Sequence, residues 1–216
     1  MSLILNLETS TKNCSVNIAK NGISLVNVEE CFDKHLHSEK LHTFIKYAIK
    51  ISGIDLKNLS SICINRGPGS YTSLRIGSST AKGLCISLGI PLLSIDSLTL
   101  MIQKINNIKS GFLIPMIHAK YNSFYTCLFN ESKEKLSAIS IKEIDKNFFI
   151  ENTIENKKVY ILGNLNLLET KFFFAKKNFV FVSKRYLSAI DMSNISYIRF
   201  REKKFHNVEN FSPFYL

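Results

Sequence analysis

A chain of 216 residues, 45% hydrophobic and 21% charged, has the length and composition of one large or two small globular domains. At that size roughly 70% of the unfolded surface can be buried, so neither disulfides nor a metal is needed as a staple. The net charge of +11 is uneven: the first hundred residues carry 10 Lys/Arg against 7 Asp/Glu, the remainder 18 against 10. No apolar run approaches the roughly 18 residues of a membrane helix. The opening MSLILNLETS has neither a basic start nor an apolar signal region, and the expectation is a cytoplasmic protein without membrane contact.

LILNLE (3–8), CSVNIA (14–19) and ISLVNVEE (23–30) read as strands. Asn21-Gly22 between the last two is a hairpin turn, because both residues tolerate positive φ. HSEKLHTFIKYAIKIS follows as a helix, with Ser38 as N-cap and Gly53 as its stop. SSICIN (60–65) is a buried strand leading into NRGPGSYTSLR (65–75). LRIGSSTAKGLCISLG (74–89) is a helix ended by Gly89 and Pro91. PLLSI is a short strand, and Asp96 or Ser97 caps a helix to about Asn106.

The second half opens again with strands, at 111–117, 122–130 and 135–141. A helix near 145–153, a strand at 158–164, a helix from about Leu165, a strand at 179–183 and a helix from Lys184 complete the chain. Two strand-rich openings, each followed by alternating helices and strands, predict two α/β layers. The polar stretch near 106–110 divides them into domains 1–106 and 107–216. The apolar tail SPFYL is expected to pack back onto the body.

A strand, a glycine turn and a helix N-terminus can together hold an anion. Two specific forms fail by spelling. A P-loop needs G-K-[ST] where this stretch has SLR, and the dinucleotide fingerprint needs glycine where Thr72 stands. A phosphate loop of another kind would draw on Glu8, Thr9, Gly67, Gly69, Ser70, Thr72 and Arg75. The plainer alternative is a tight turn at Gly67 and Gly69, with Ser70 and Thr72 capping the helix.

The two helices beside this loop are unusual. Ser73, Gly77, Ala81 and Cys85 fall four residues apart, a stripe of small side chains that admits a close neighbour. In the helix from Ser38, Leu41, Phe44, Ile45, Tyr47, Ala48, Ile49 and Ile51 spread over an arc of roughly 200°, about twice what a surface helix needs. That width implies two packing surfaces, one for the core and one for an internal layer or a partner protein.

Five cysteines, odd in number and never as C-x-x-C, make neither a disulfide framework nor a zinc ribbon. His35, His37 and His42 cluster, but no carboxylate–histidine set completes a metal site, and none is expected. Ser70 sits in G-S-Y rather than a nucleophile elbow. The basic excess is mostly scattered Lys, with no dense patch for nucleic acid.

LETST with CSV, HSEKL, the stretch RGPGSYTSLRIG with AKGL, and the terminal PFYL together resemble the TsaB family of bacterial tRNA threonylcarbamoyladenosine biosynthesis proteins. The resemblance is strong over residues 3–100 and diffuse beyond. It implies an α/β fold of the actin-like (ribonuclease H-like) kind, two domains with mixed sheets flanked by helices. It also implies a non-catalytic subunit that binds and stabilises a TsaD-like transferase subunit, with a TsaE-like ATPase assisting and tRNA reached through the complex.

By the same resemblance the partner interface falls on the two helices, at Leu41, Phe44, Tyr47, Ile51, Ser73, Gly77, Ala81 and Cys85. A homodimer is expected when the partner is absent. No cofactor of its own is expected, although a nucleotide could sit at the contact with the partner. Three residues depart from the pattern: His118 and Lys120 replace the Asp and Arg of Asp-Ala-Arg, and Glu8 stands where the superfamily has Asp. The rival reading is an actin-like ATPase or kinase with its own site at Glu8 and the glycine loop.

Overall fold

The computed structural model describes residues 1–32, 36–103, 105, 108, 110–145, 148, 151–152, 157–164, 178–183 and 186–215. Two compact units emerge: Met1–Ser97 with Tyr186–Tyr215, and Leu98–Arg185. The expected division near 106–110 thus shifts upstream, and the end of the chain returns to the first unit instead of staying with the second.

In the first unit, β1 (Leu3–Glu8), β2 (Asn13–Lys20), β3 (Ile23–Cys31), β4 (Ser61–Asn65) and β5 (Leu92–Ile95) form one sheet ordered β3-β2-β1-β4-β5. β1 pairs antiparallel with β2 and parallel with β4, so the sheet is mixed. Asn21 and Gly22 take φ of 50 and 84 in the β2–β3 turn, which Asn tolerates and the lack of a Cβ allows at Gly.

Strand alternation assigns the two faces of β2. Cys14, Val16 and Ile18 point into a core built with α1 (His37–Ser52) and α2 (Tyr71–Leu88). Asn13, Ser15 and Asn17 bond instead to the returning segment, a 3-10 turn (Ala189–Met192) followed by a helix (Ser193–Arg201). Beyond that helix the chain bridges β5, His206 N donating to Leu92 O, and buries Phe211 in the α1–α2 core.

Both long helices end on a left-handed glycine, Gly53 and Gly89. Their starts differ from expectation. α1 begins with Leu36 as N-cap, which puts Ser38 inside the first turn. α2 starts at Tyr71, three positions before the apolar pattern becomes visible, with Ser70 at the N-cap. A short α3 (Ser97–Met101) stops well before Asn106.

The second unit holds β6 (Phe112–His118), β7 (Ser123–Thr126), β8 (Phe129–Asn130), β9 (Ser140–Glu143), β10 (Val159–Gly163) and β11 (Phe179–Ser183). Their order is β11-β10-β6-β7-β9, with β8 on β6. Ile114, Met116, Phe124, Phe148, Val159 and Ile161 make its core. The strand expected at 122–130 breaks into β7 and β8, and that expected at 135–141 pairs only from Ser140, apart from a bridge at Lys135. The helix from Leu165 and most of that near 145–153 lie outside the described residues. The last helical segment starts at Ala189, later than Lys184.

Candidate functional site

The ends of the three parallel strands β1, β4 and β5 converge on the glycine loop. Glu8 closes β1 and is fully buried. Its carboxylate does not face outward. Oε1 accepts from Ser10 N and Ser10 Oγ, both at 2.6 Å, and Oε2 accepts from Asn65 Nδ2. Burial pushes the Glu8 carboxyl above its ordinary range, the Ser10 and Asn65 donors oppose this, and Asp191 adds to the rise.

Asn65, the last residue of β4, continues the network. Its Oδ1 accepts from Gly67 N and from Ser97 Oγ, each at 2.9 Å. Ser70 N donates to Ser10 O at 2.8 Å. At Gly69 a Cβ would stand 2.4 Å from Ser10 O, so glycine is demanded by the close approach of two backbones.

Of the seven residues proposed as a phosphate loop, the structure gathers Glu8, Thr9, Gly67, Gly69 and Ser70, and polar groups of Glu8, Gly67 and Ser70 are already engaged. The amides of Gly67 and Ser70 and the carboxylate of Glu8 bond within the chain, and Thr9 is buried with its side chain against Gly77. Thr72 and Arg75 lie on the outer surface of α2. The arrangement is a lock joining β1, β4, the start of α2 and Ser97. Asn65, Ser10 and Ser97 were missed in the sequence; a polar residue ending a buried strand, as Asn65 does, was the available signal.

The eight residues expected at a partner interface divide sharply. Leu41, Phe44, Ala81 and Cys85 belong to the chain's own core, and Ser73 is fully buried. Gly77 faces the end of β1: a Cβ there would lie 2.3 Å from Thr9 Oγ1 and 3.0 Å from Ile64. These six are therefore corrected from partner contacts to internal packing, because the close neighbour that the small stripe admits is the chain's own sheet. Only Tyr47 and Ile51 stand clear, 53% and 67% exposed, one helical turn apart on α1.

His37 is buried between Asn13 O, 3.4 Å from Nε2, and Ser73 Oγ, 3.3 Å from Nδ1, so it pins α1 to β2 and α2. His42 is exposed, and His35 lies outside the described residues. Among the described residues no group of three His, Cys, Asp or Glu is placed to hold a metal. None of their helices is long and apolar enough to cross a membrane.

Residues 32–202 match the family model described as TsaD: tRNA N6-adenosine threonylcarbamoyltransferase. The tRNA threonylcarbamoyladenosine biosynthesis protein TsaB of Buchnera aphidicola subsp. Acyrthosiphon pisum (strain APS) is 31% identical over 188 residues, 84% of each chain. The chain belongs to the TsaB family. Its Escherichia coli (strain K12) member is 30% identical over 100 residues, 46% of this chain and 42% of that one.

A solved structure described as YeaZ from Pseudomonas aeruginosa superposes with a TM-score of 0.80 over the whole of both chains at 19% identity. Together these give the TsaB-family chain the actin-like, ribonuclease H-like two-domain fold expected from its motifs. By the names of its relatives, the TsaB family serves tRNA threonylcarbamoyladenosine biosynthesis.

Proposed function

We propose that this chain is a non-catalytic subunit of the machinery that attaches threonylcarbamoyl to N6 of the tRNA adenosine beside the anticodon. It binds and stabilises a TsaD-like transferase subunit; a TsaE-like ATPase is the further partner, and tRNA is reached through the complex. The observation that carries this reading is the apolar pair Tyr47 and Ile51 on the outer side of α1, a helix whose other side completes the core. Ile86 on α2 is likewise an exposed apolar side chain, 65% exposed. Large apolar groups held outward on rigid helices suit a protein partner, and a second copy of the chain when that partner is absent.

Such a subunit acts by binding the competent state of its partner more tightly than other states, which requires no chemistry of its own. Within the glycine loop the amides of Gly67 and Ser70 are engaged internally, so a nucleotide at the contact would draw its donors from elsewhere.

The test is co-elution with the cognate transferase subunit. Tyr47→Asp combined with Ile51→Asp should abolish pairing while the isolated chain melts as the parent does, because exposed substitutions cost within about 0.5 kcal/mol. Undiminished pairing sinks the reading. The ATPase alternative would displace it if the isolated chain released phosphate from ATP above background and Glu8→Ala stopped the release.

A further inference from the structure

Two arginines flanking the glycine loop are held against aromatic rings with their side-chain donors unengaged. The Arg75 guanidinium lies 4.1 Å from the centre of the Tyr71 ring, and that of Arg66 lies 5.5 Å from Phe214. Among the described residues neither guanidinium has a hydrogen-bond acceptor or a carboxylate partner.

The C-terminal tail joins the two pairs. Tyr215, the neighbour of Phe214, packs 5.0 Å from Tyr71, and Phe214 N donates to Arg66 O at 2.7 Å. The tail is fixed beneath by buried Phe211 and by Lys82 Nζ, which donates to Glu209 O at 2.8 Å and to Phe211 O at 3.3 Å. Tyr71 and Tyr215 nevertheless remain 53% and 43% exposed.

A guanidinium stacked on a ring keeps its planar fork of donors while losing rotamer freedom, and it is weakly hydrated. A fork of that kind matches a phosphate oxygen pair, and an exposed tyrosine beside it matches the face of an unpaired base. An acidic peptide would satisfy the forks but would leave the rings without a role. Two arginines without a carboxylate partner make the strip itself positive, which favours a polyanion.

We propose that Arg66, Tyr71, Arg75 and Tyr215 form a contact strip for single-stranded RNA, guanidinium forks on phosphates and tyrosines on bases. The choice of RNA rests on the family reading above; the strip itself rests on the geometry.

The test uses the full chain and a fluorescein-labelled, unmodified tRNA transcript, with anisotropy read across a KCl series. Arg66→Gln and Arg75→Gln should each flatten the dependence of log K on log salt by about 0.7 to 0.9. Tyr71→Leu should weaken binding about tenfold and Tyr71→Phe should restore it, because the ring and not the hydroxyl stacks. Co-elution with the transferase subunit is measured on the same variants and should persist. That second readout separates the two proposals: a parent chain that binds tRNA through the strip yet never pairs defeats only the scaffold reading. Absence of tRNA binding at low salt, or an unchanged salt slope in both arginine variants, overturns the strip. It is equally overturned if poly-glutamate competes as well as single-stranded RNA, or if Arg75→Gln breaks pairing and leaves tRNA binding intact.

Discussion

Helix α2 shows two faces built on the same four-residue spacing and put to opposite uses. Its inner face, Ser73, Gly77, Ala81 and Cys85, is buried against the sheet and the core. Its outer face carries Tyr71, Arg75, Ser79, Gly83 and Ser87 to solvent. A run of small residues announces that something comes close, and it does not say whose backbone that is. Here it is the chain's own sheet, met at the side chains of Thr9, just past β1, and Ile64 of β4.

The largest effect that can break this comparison is Gly77→Leu. Its Cβ alone would meet Thr9 Oγ1 at 2.3 Å, before the isobutyl group is placed. The cost lies at or beyond the upper end of overpacking, about 3 kcal/mol. Thermal denaturation should show a Tm loss on the order of 10 °C, or no soluble chain. A variant that melts with the parent and merely fails to pair would hand the inner face back to a partner.

A second comparison sets Glu8 against Glu29, one at the core of the loop lock and the other fastening the returning segment. At Glu29 burial pushes the carboxyl up, but donors from Ser188, Ser15, Asn27 and Asn13 outweigh it and leave it below the ordinary 4.5. Glu8 is left above 4.5. The signs follow from linkage. The folded state holds the Glu8 proton more tightly than the unfolded chain does, so this contribution to stability falls as pH rises past 4.5. The contribution of Glu29 is present above 4.5 and is lost as pH drops through its lower folded value. Urea midpoints against pH should lose the first trend in Glu8→Gln and the second in Glu29→Gln. Glu8→Gln also turns an amide N–H₂ toward a donor, from Asn65 or Ser10, at a cost of about 1–3 kcal/mol. A pH profile unaltered by Glu8→Gln would mean that the lock is not what its geometry indicates.

Much of the first unit was legible because its signals are local. Alternation in β1 and β2, the Asn21-Gly22 turn and the glycine stops at 53 and 89 each follow from neighbours in sequence. The start of α2 was misread because Tyr71 and Thr72 face solvent and break the apolar pattern that marks a helix. The tail SPFYL was expected to pack back, but that the return starts near residue 186 and runs along β2 was not legible, for a different reason. It depends on pairings such as Ser15 Oγ with Ala189 N, 174 positions apart, and a polar residue on a buried strand does not name its partner.

The candidate site failed in the same way. Glu8, Gly67 and Gly69 lie near one another, but the sequence could not show that Ser10 and Asn65 engage Glu8 or that Asn65 engages Gly67. Spacing identified the wide arc of α1, whereas only burial separates Leu41 and Phe44 from Tyr47 and Ile51.

The smallest effect reverses the sign of the largest on the same helix. Gly83 is exposed, and a Cβ added there meets nothing within 4 Å. Glycine inside a helix costs about 1 kcal/mol relative to alanine, mainly through the entropy of the unfolded chain. Gly83→Ala should therefore stabilise by about 0.4–1 kcal/mol, seen as a higher urea midpoint with an unchanged slope. Gly77→Ala, six positions earlier, should destabilise, since its methyl collides with Thr9. If both substitutions stabilise, α2 stands farther from the sheet than its contacts state, and the inner face is open to a neighbour after all. If both destabilise, position 83 is covered in solution by a second surface, and the outer face of α2 is already in use.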